Sequence, residues 1–279
     1  MDYFAGARAR LDRAREQTDV LHDEFLEFSA RAPHVVRETF EVETGRKRAA
    51  YTVTEDFPGA WPAIIGEIAY DLRSALDHVV YDLTQLEAGG PLGHTGFPIF
   101  EDEARYDEVT TRGEPALGSG VFKIRGVNSY AKAAIRSLQP FEVRKTMPFE
   151  EPMLSILQEL YAADRYRTVP LCRLRWAGCT IRSRRPVRDL VFVWGATLDD
   201  GAALAEWTPT TGAGDEPDLD VNLDFDVAFG EDAPTRAYGK HPPVIDVLER
   251  MASTVAETIR ILEATVTLVG VGPAVEASL

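Results

Sequence analysis

Cysteine is nearly absent: Cys172 and Cys179 are the only two in 279 residues, and they do not form a Cys-x-x-Cys pair. That excludes a disulfide framework and a thiolate zinc site, and leaves reduced, structural thiols. Long apolar runs are missing too. Nothing approaches the run of about 18 or more residues that a membrane-spanning helix needs. Met1–Gly6 carries no basic flank followed by an apolar stretch, so no signal peptide and a cytoplasmic location are expected. Bases are scarce as well: 30 Lys and Arg face 45 Asp and Glu, a formal charge of −15. A field of that sign keeps a protein soluble and repels polyanions. It disfavours a nucleic-acid partner without abolishing one, because the charge is unevenly placed. There is no Gly-x-x-x-x-Gly-Lys-Ser/Thr, no Gly-x-Gly-x-x-Gly, no Gly-x-Ser-x-Gly and no His-Glu-x-x-His. Phosphate-loop hydrolysis, dinucleotide redox chemistry and ordinary serine hydrolysis are therefore disfavoured.

What is present is the composition of a packed globular chain, 45% hydrophobic and 27% charged. Phe4, Ala7, Leu11, Ala14, Thr18, Leu21, Phe25 and Phe28 step by three and four and predict a helix over 3–30. Alternation on either side of Thr44-Gly45 predicts a hairpin over 35–55. A second long helix is expected over 62–88, with Pro62 in its first turn. Residues 94–126 read mostly as loop, 127–138 and 152–163 as shorter helices, with Gln139-Pro140-Phe141 and Pro148 separating them. From 168 the period becomes two, with strands expected near 169–182, 190–197, 203–208 and 218–229. A last helix, 243–268, carries the stripe Val244, Leu248, Met251, Val255, Ile259, Leu262 and Val266. The expected fold is α+β: one domain over 1–279, a helical bundle of 3–30, 62–88 and 243–268 packed with an antiparallel sheet, and a frayed tail at 270–279.

The 62–88 helix holds the densest set of chemically capable side chains. On a wheel, Ile65, Leu72, Leu76, Val79 and Leu83 form a core face. Glu67, Asp71, Ser74, His78 and Asp82 lie opposite, and Arg73 and Asp77 are spaced for an ion pair. The plain reading is an exposed polar face with a surface ion pair. A second is a metal site of Glu67, Asp71 and His78, with His22 as a partner. The Glu-x-x-His ligand motif is absent, so no resident metal or cofactor is expected. A third reading starts from Arg73-Ser-Ala-Leu-Asp-His78, which resembles the Arg-x4-His motif of HEPN ribonucleases. That resemblance implies a helical, dimeric, metal-independent RNA-cleaving enzyme, with histidine moving a proton and arginine meeting phosphate charge. The candidate catalytic residues are then Arg73, His78, Asp77 and Glu67.

Several blocks fall in order: Gly66-Glu67, Leu72-Arg73-Ser74-Ala75-Leu76-Asp77-His78, Phe97-Pro98-Ile99, Gln139-Pro140-Phe141, and Leu157 to Leu160 leading to Asp164-Arg165-Tyr166-Arg167. The series resembles a group of uncharacterised bacterial proteins, mainly of actinobacteria, whose last block usually reads Asp-Lys-His-Arg. The resemblance implies a shared fold and no activity, and Tyr166 replaces that group's histidine. Asp164 could reach Arg73 or His78, or could simply end its helix.

Residues 165–188 hold eight arginines and no acid, whereas 189–235 hold twelve acids and no base. On strands, Arg173 and Arg175 share one face, and Asp218, Asp220, Asn222, Asp224 and Asp226 share another. Cross-strand ion pairing is one outcome. An anion-binding patch of Arg165, Arg167, Arg173 and Arg175 is the other. The alternation of acids with large apolar residues excludes a calcium loop. Together these features favour a soluble binding or interaction protein whose partner is a small molecule or protein, off the membrane, with a homodimer left open. The ribonuclease is the alternative.

Overall fold

The computed structural model describes residues 3–270, apart from 91, 150, 165–167, 176–179, 194–196, 211–217, 224, 234 and 236–239. Helix α1 (Ala5–Ala30) is followed by a hairpin, β1 (His34–Glu41) and β2 (Arg46–Val53), and then by α2 (Trp61–Ala88). Five shorter helices come next: α3 (Glu103–Tyr106), α4 (Gly120–Lys123), α5 (Ser129–Ser137), α6 (Pro140–Thr146) and α7 (Met153–Asp164). The strands β3 (Leu171–Arg175), β4 (Thr180–Ser183), β5 (Val187–Phe192), β6 (Ala203–Pro209), β7 (Leu219–Asn222) and β8 (Phe225–Phe229) lead to α8 (Val244–Gly270). The α+β class is as the periodicities predict. No helix among the described residues is long and apolar enough to cross a membrane.

Two local expectations change. Gln139-Pro140-Phe141 does lie between α5 and α7, but a further helix, α6, opens at Pro140. Proline suits a first helical position because its missing N–H would have been unsatisfied there anyway. The stretch 218–229 is not one strand but two, paired with different partners, β7 with β4 and β8 with β3.

By its internal contacts the chain divides into two compact units, and α1 contributes residues to both. The first unit comprises 1–18, 63–168 and 246–279. Its centre is α2, whose Ile65, Leu72, Leu76, Val79 and Leu83 are fully or almost fully buried, as the wheel predicts. Ile68, Ala69, Ala75 and Val80 are buried as well, leaving only a narrow exposed strip that includes Glu67, Tyr70 and Tyr81. Phe4, Ala7, Leu11 and Ala14 of α1, and Leu248, Met251, Val255, Ile259 and Leu262 of α8, supply further core.

The second unit comprises 19–62 and 169–245. Its main sheet is antiparallel in the order β1-β2-β6-β5, so the early hairpin is completed by late strands. An aromatic core gathers here. Trp61 lies 4.5 Å from Phe25 and 5.2 Å from Phe28, ring centre to ring centre. The buried face of β2 ends in a charge: Lys47 sits opposite Trp207 of β6. Its ammonium is 2.9 Å from Asp218 Oδ2 and 3.6 Å from Glu38 Oε2. The indole Nε1–H of Trp207 donates to the same Asp218 oxygen at 3.1 Å.

This cluster carries a pH dependence. Burial alone would raise the Asp218 carboxyl, but the bonds from Lys47 and Trp207 outweigh it and hold the group below its ordinary 3.8. A carboxyl lowered in the fold adds stability that is complete above the unfolded value and drains away as pH falls through the folded one. The second unit should therefore lose stability below pH 3.8. In an acid titration followed by tryptophan fluorescence, Asp218→Asn should flatten that part of the slope. An unchanged slope would remove Asp218 from the account.

Candidate functional site

Arg73 is not a surface residue. It is 8% exposed, and its Nη2 donates to the Phe97 carbonyl at 2.7 Å. Its Nη1 lies 3.1 Å from Asp77 Oδ1, an oxygen that also accepts the Phe97 N–H at 2.8 Å. The predicted ion pair therefore forms, with Arg73 buried and Asp77 partly exposed, and closes over a peptide group. From the other side, the fully buried Gln139 donates to the Pro98 carbonyl at 2.9 Å and accepts the Phe100 N–H at 3.1 Å. Residues 97–100 belong to no helix or strand, and buried backbone outside such ladders needs side-chain partners. Three side chains supply them. Three of the sequence blocks, at 72–78, 97–99 and 139–141, thus form one clasp.

The first and last blocks also meet. A Cβ on Gly66 would stand 2.0 Å from Asp164 Oδ1, so α7 can end against α2 only where there is no side chain. Asp164 lies at Gly66, while the bonds of Arg73 run to Asp77 and Phe97.

His78 is half-buried beside the first turn of α1, where a Cβ on Gly6 would stand 2.8 Å from its Nδ1. Its ring forms no hydrogen bond with a described residue. Burial raises the neighbouring Asp82 carboxyl, and His78 opposes that rise. Side chains five residues apart leave a helix about 140° apart, and here Arg73 reaches the 97–100 segment while His78 packs on α1. The two are not brought to a common point.

The expected exposed stripe is broken up as well. Glu67 is exposed and accepts from Gln17 Nε2 at 3.2 Å. Asp71 is 2% exposed and is met by Arg10 Nη1 at 2.7 Å and Arg13 Nε at 3.2 Å. Among the described residues, no three of His, Cys, Asp and Glu converge as metal ligands would.

The arginine segment falls mainly in the second unit. Arg165 and Arg167 lie outside the described residues, as do Tyr166, Cys179, Asp224 and the tail 271–279. For Arg175 only the backbone is described. The register places Arg173 opposite Val227 and Arg175 opposite Phe225, and the Arg173 side chain lies by Phe57 and Phe225 instead of pairing with Asp226. Arg173 is buried, donates to the Glu55 carbonyl at 2.6 Å, and lies 4.3 Å above the Phe57 ring. The arginine–aspartate complementarity appears one ladder away. Arg182 is opposite Asp220 in β4–β7, and Arg184 Nη2 bonds Asp220 Oδ1 at 3.0 Å. Cys172 lies 3.5 Å from His241 Nδ1, but burial, with Asp199 adding to it, pushes its thiol up to about 11. It stays protonated at neutral pH.

The first unit also holds a groove of about 410 Å³ that no sequence motif marks. Val121 and Ile124 line it with Tyr106 of α3, and Arg125, Lys132 and Arg136 bring three cations to it. Burial pushes the Tyr106 phenol up to about 12, so it stays neutral. The signal was in the sequence: residues 115–141 contain Lys123, Arg125, Lys132 and Arg136 and no acid. The chain matches no protein-family model, no curated protein and no solved structure.

Proposed function

We propose that the protein is a cytosolic, non-catalytic binding protein. The observation that supports this reading is the clasp. Arg73 and Asp77, the side chains best suited to chemistry, already hold the Phe97 peptide group. An arginine that is buried, hydrogen-bonded to a carbonyl and ion-paired with a carboxylate is already committed within the fold. The blocks that resemble the bacterial group are the ones that build this clasp, so the resemblance reads as one of fold.

The test separates stability from turnover. Asp77→Asn should keep the Phe97 N–H bond and weaken the hold on Arg73. It should lower the unfolding free energy by about 1–2 kcal/mol, less than for a fully buried pair because Asp77 is partly exposed. In parallel, purified protein is incubated with mixed RNA, with and without chelator, beside His78→Ala. No cleavage by either protein is expected. Metal-independent cleavage that disappears in His78→Ala would replace this reading with the ribonuclease one.

A further inference from the structure

We infer that the groove lined by Tyr106, Val121, Ile124, Arg125 and Lys132 binds a small monocarboxylate with a large apolar body. This rests on the binding-protein reading and gives it a ligand class.

The argument is one of charge and shape. Arg125 donates Nη1 to the Phe122 carbonyl at 2.8 Å and Nη2 to the Gly93 carbonyl at 2.6 Å, and stacks 4.0 Å above the Phe122 ring. Lys132 Nζ donates to the Arg125 carbonyl at 3.1 Å. Among the described residues, no carboxylate pairs with either cation. In a chain of net charge −15, two neighbouring cations held by neutral carbonyls form a local positive field, fixed in place and not neutralised. Their carbonyl bonds orient them without cancelling their charge. A carboxylate placed there would gain charge-assisted hydrogen bonds, which are about twice as strong as neutral ones.

The third cation sets the limit on ligand charge. Arg136 Nη1 is 2.6 Å from Asp107 Oδ1, its Nε is 3.7 Å from Glu142, and its Nη2 also bonds Glu103. Arg136 is thus neutralised, and its acids stand near the groove. A phosphate dianion would feel those acids and would find only two cations to offset them. One negative charge fits. The other lining residues, Tyr106, Pro115, Val121, Ile124 and Ala133, present mostly carbon. Burying an apolar body against them is favourable by about 25 cal/mol per Å² removed from water. The volume falls at the low end of ordinary ligand sites, which run from about 300 to 1,000 Å³.

The probe is naphthoate, a planar monocarboxylate, titrated calorimetrically into the full-length protein beside uncharged naphthamide and inorganic phosphate. Naphthoate should bind in the micromolar to millimolar range, and naphthamide about tenfold or more weaker, as expected when a charge-assisted contact is lost. Lys132→Met, which keeps the apolar stem, should weaken naphthoate by a similar factor. Ala133 is exposed on α5 and takes no part in the clasp. Ala133→Trp should fill the groove and abolish binding without changing the fold, checked by circular dichroism. Equal binding of acid and amide, tighter binding of phosphate, binding indifferent to Ala133→Trp, or no binding of naphthoate would each overturn the assignment. Those results leave the non-catalytic reading standing. Conversion of bound naphthoate to a new product, seen by chromatography, would overturn that reading and keep the site.

Discussion

Lys47→Met is expected to lower the unfolding free energy of the second unit by about 3–5 kcal/mol, the usual cost of removing one partner from a buried charge cluster. The Lys47 and Asp218 side chains are each only 7% exposed, and Glu38 is 12% exposed. Methionine would preserve the packing of the stem and delete the ammonium that pairs with both carboxylates, leaving Asp218 with the charge of Arg185. Two carboxylates would then face each other with little water. The damage would spread through Glu38, whose oxygens accept the N–H groups of Asp218 and Leu219 at 3.0 and 2.8 Å. Those bonds fix where β7 begins. The readout is selective, because the first unit's residues include no tryptophan, whereas Trp61 and Trp207 are buried in the second. Urea unfolding followed by tryptophan fluorescence should shift, while the helical signal of the first unit should move less. Adding Asp218→Asn to Lys47→Met should recover part of the loss, because it removes one stranded charge. A cost below about 1 kcal/mol would mean that the cluster behaves as a solvated surface pair.

The contrast between what was legible and what was not follows from the range of the interactions. The long helices could be read because α1, α2 and α8 each repeat an apolar stripe over many turns, and a local period needs no knowledge of partners. The β1–β2 hairpin could be read for the same reason, since its turn and its alternation are adjacent in sequence. Strand pairing could not. Arg173 and Asp226 suggested a cross-strand pair by composition, but the register is set by which faces must be buried. It places Arg173 beside Val227 and Phe225. The polar stripe of α2 failed in the same way. A wheel assumes one buried side, whereas α2 is covered on most of its circumference, so Asp71 and Arg73 are enclosed and must find partners at residues 10, 13 and 97. The groove was missed because its signal is an absence of acids over 115–141, and an absence carries no periodicity.

Gln139→Leu is expected to be the most damaging change in the first unit, at about 3–5 kcal/mol. Each buried polar group left without a partner costs about 1–3 kcal/mol, and at least two would be stranded. The side chain is fully buried, donates to the Pro98 and Ile135 carbonyls at 2.9 and 3.0 Å, and accepts the Phe100 N–H at 3.1 Å. Leucine matches the volume and makes none of these bonds, so packing loss is a minor part of the effect. Glutamate would keep an acceptor for Phe100, lose both donations and add a buried charge, so Gln139→Glu should be no better at neutral pH. The effect should couple to Arg73→Lys, because both residues hold the same four-residue segment. In a double-mutant cycle the two losses should fall short of additivity. The segment also links the clasp to the groove. Phe100 meets Tyr106 edge-on at 5.8 Å between ring centres, and Tyr106 meets Phe141 at 5.5 Å. Tyr106 is a wall of the groove. Loosening residues 97–100 should therefore weaken naphthoate binding even at temperatures where the variant remains folded. If Gln139→Leu lowered the helical melting transition but left naphthoate affinity untouched, the clasp would support the fold alone and the wall of the groove would be held by other contacts.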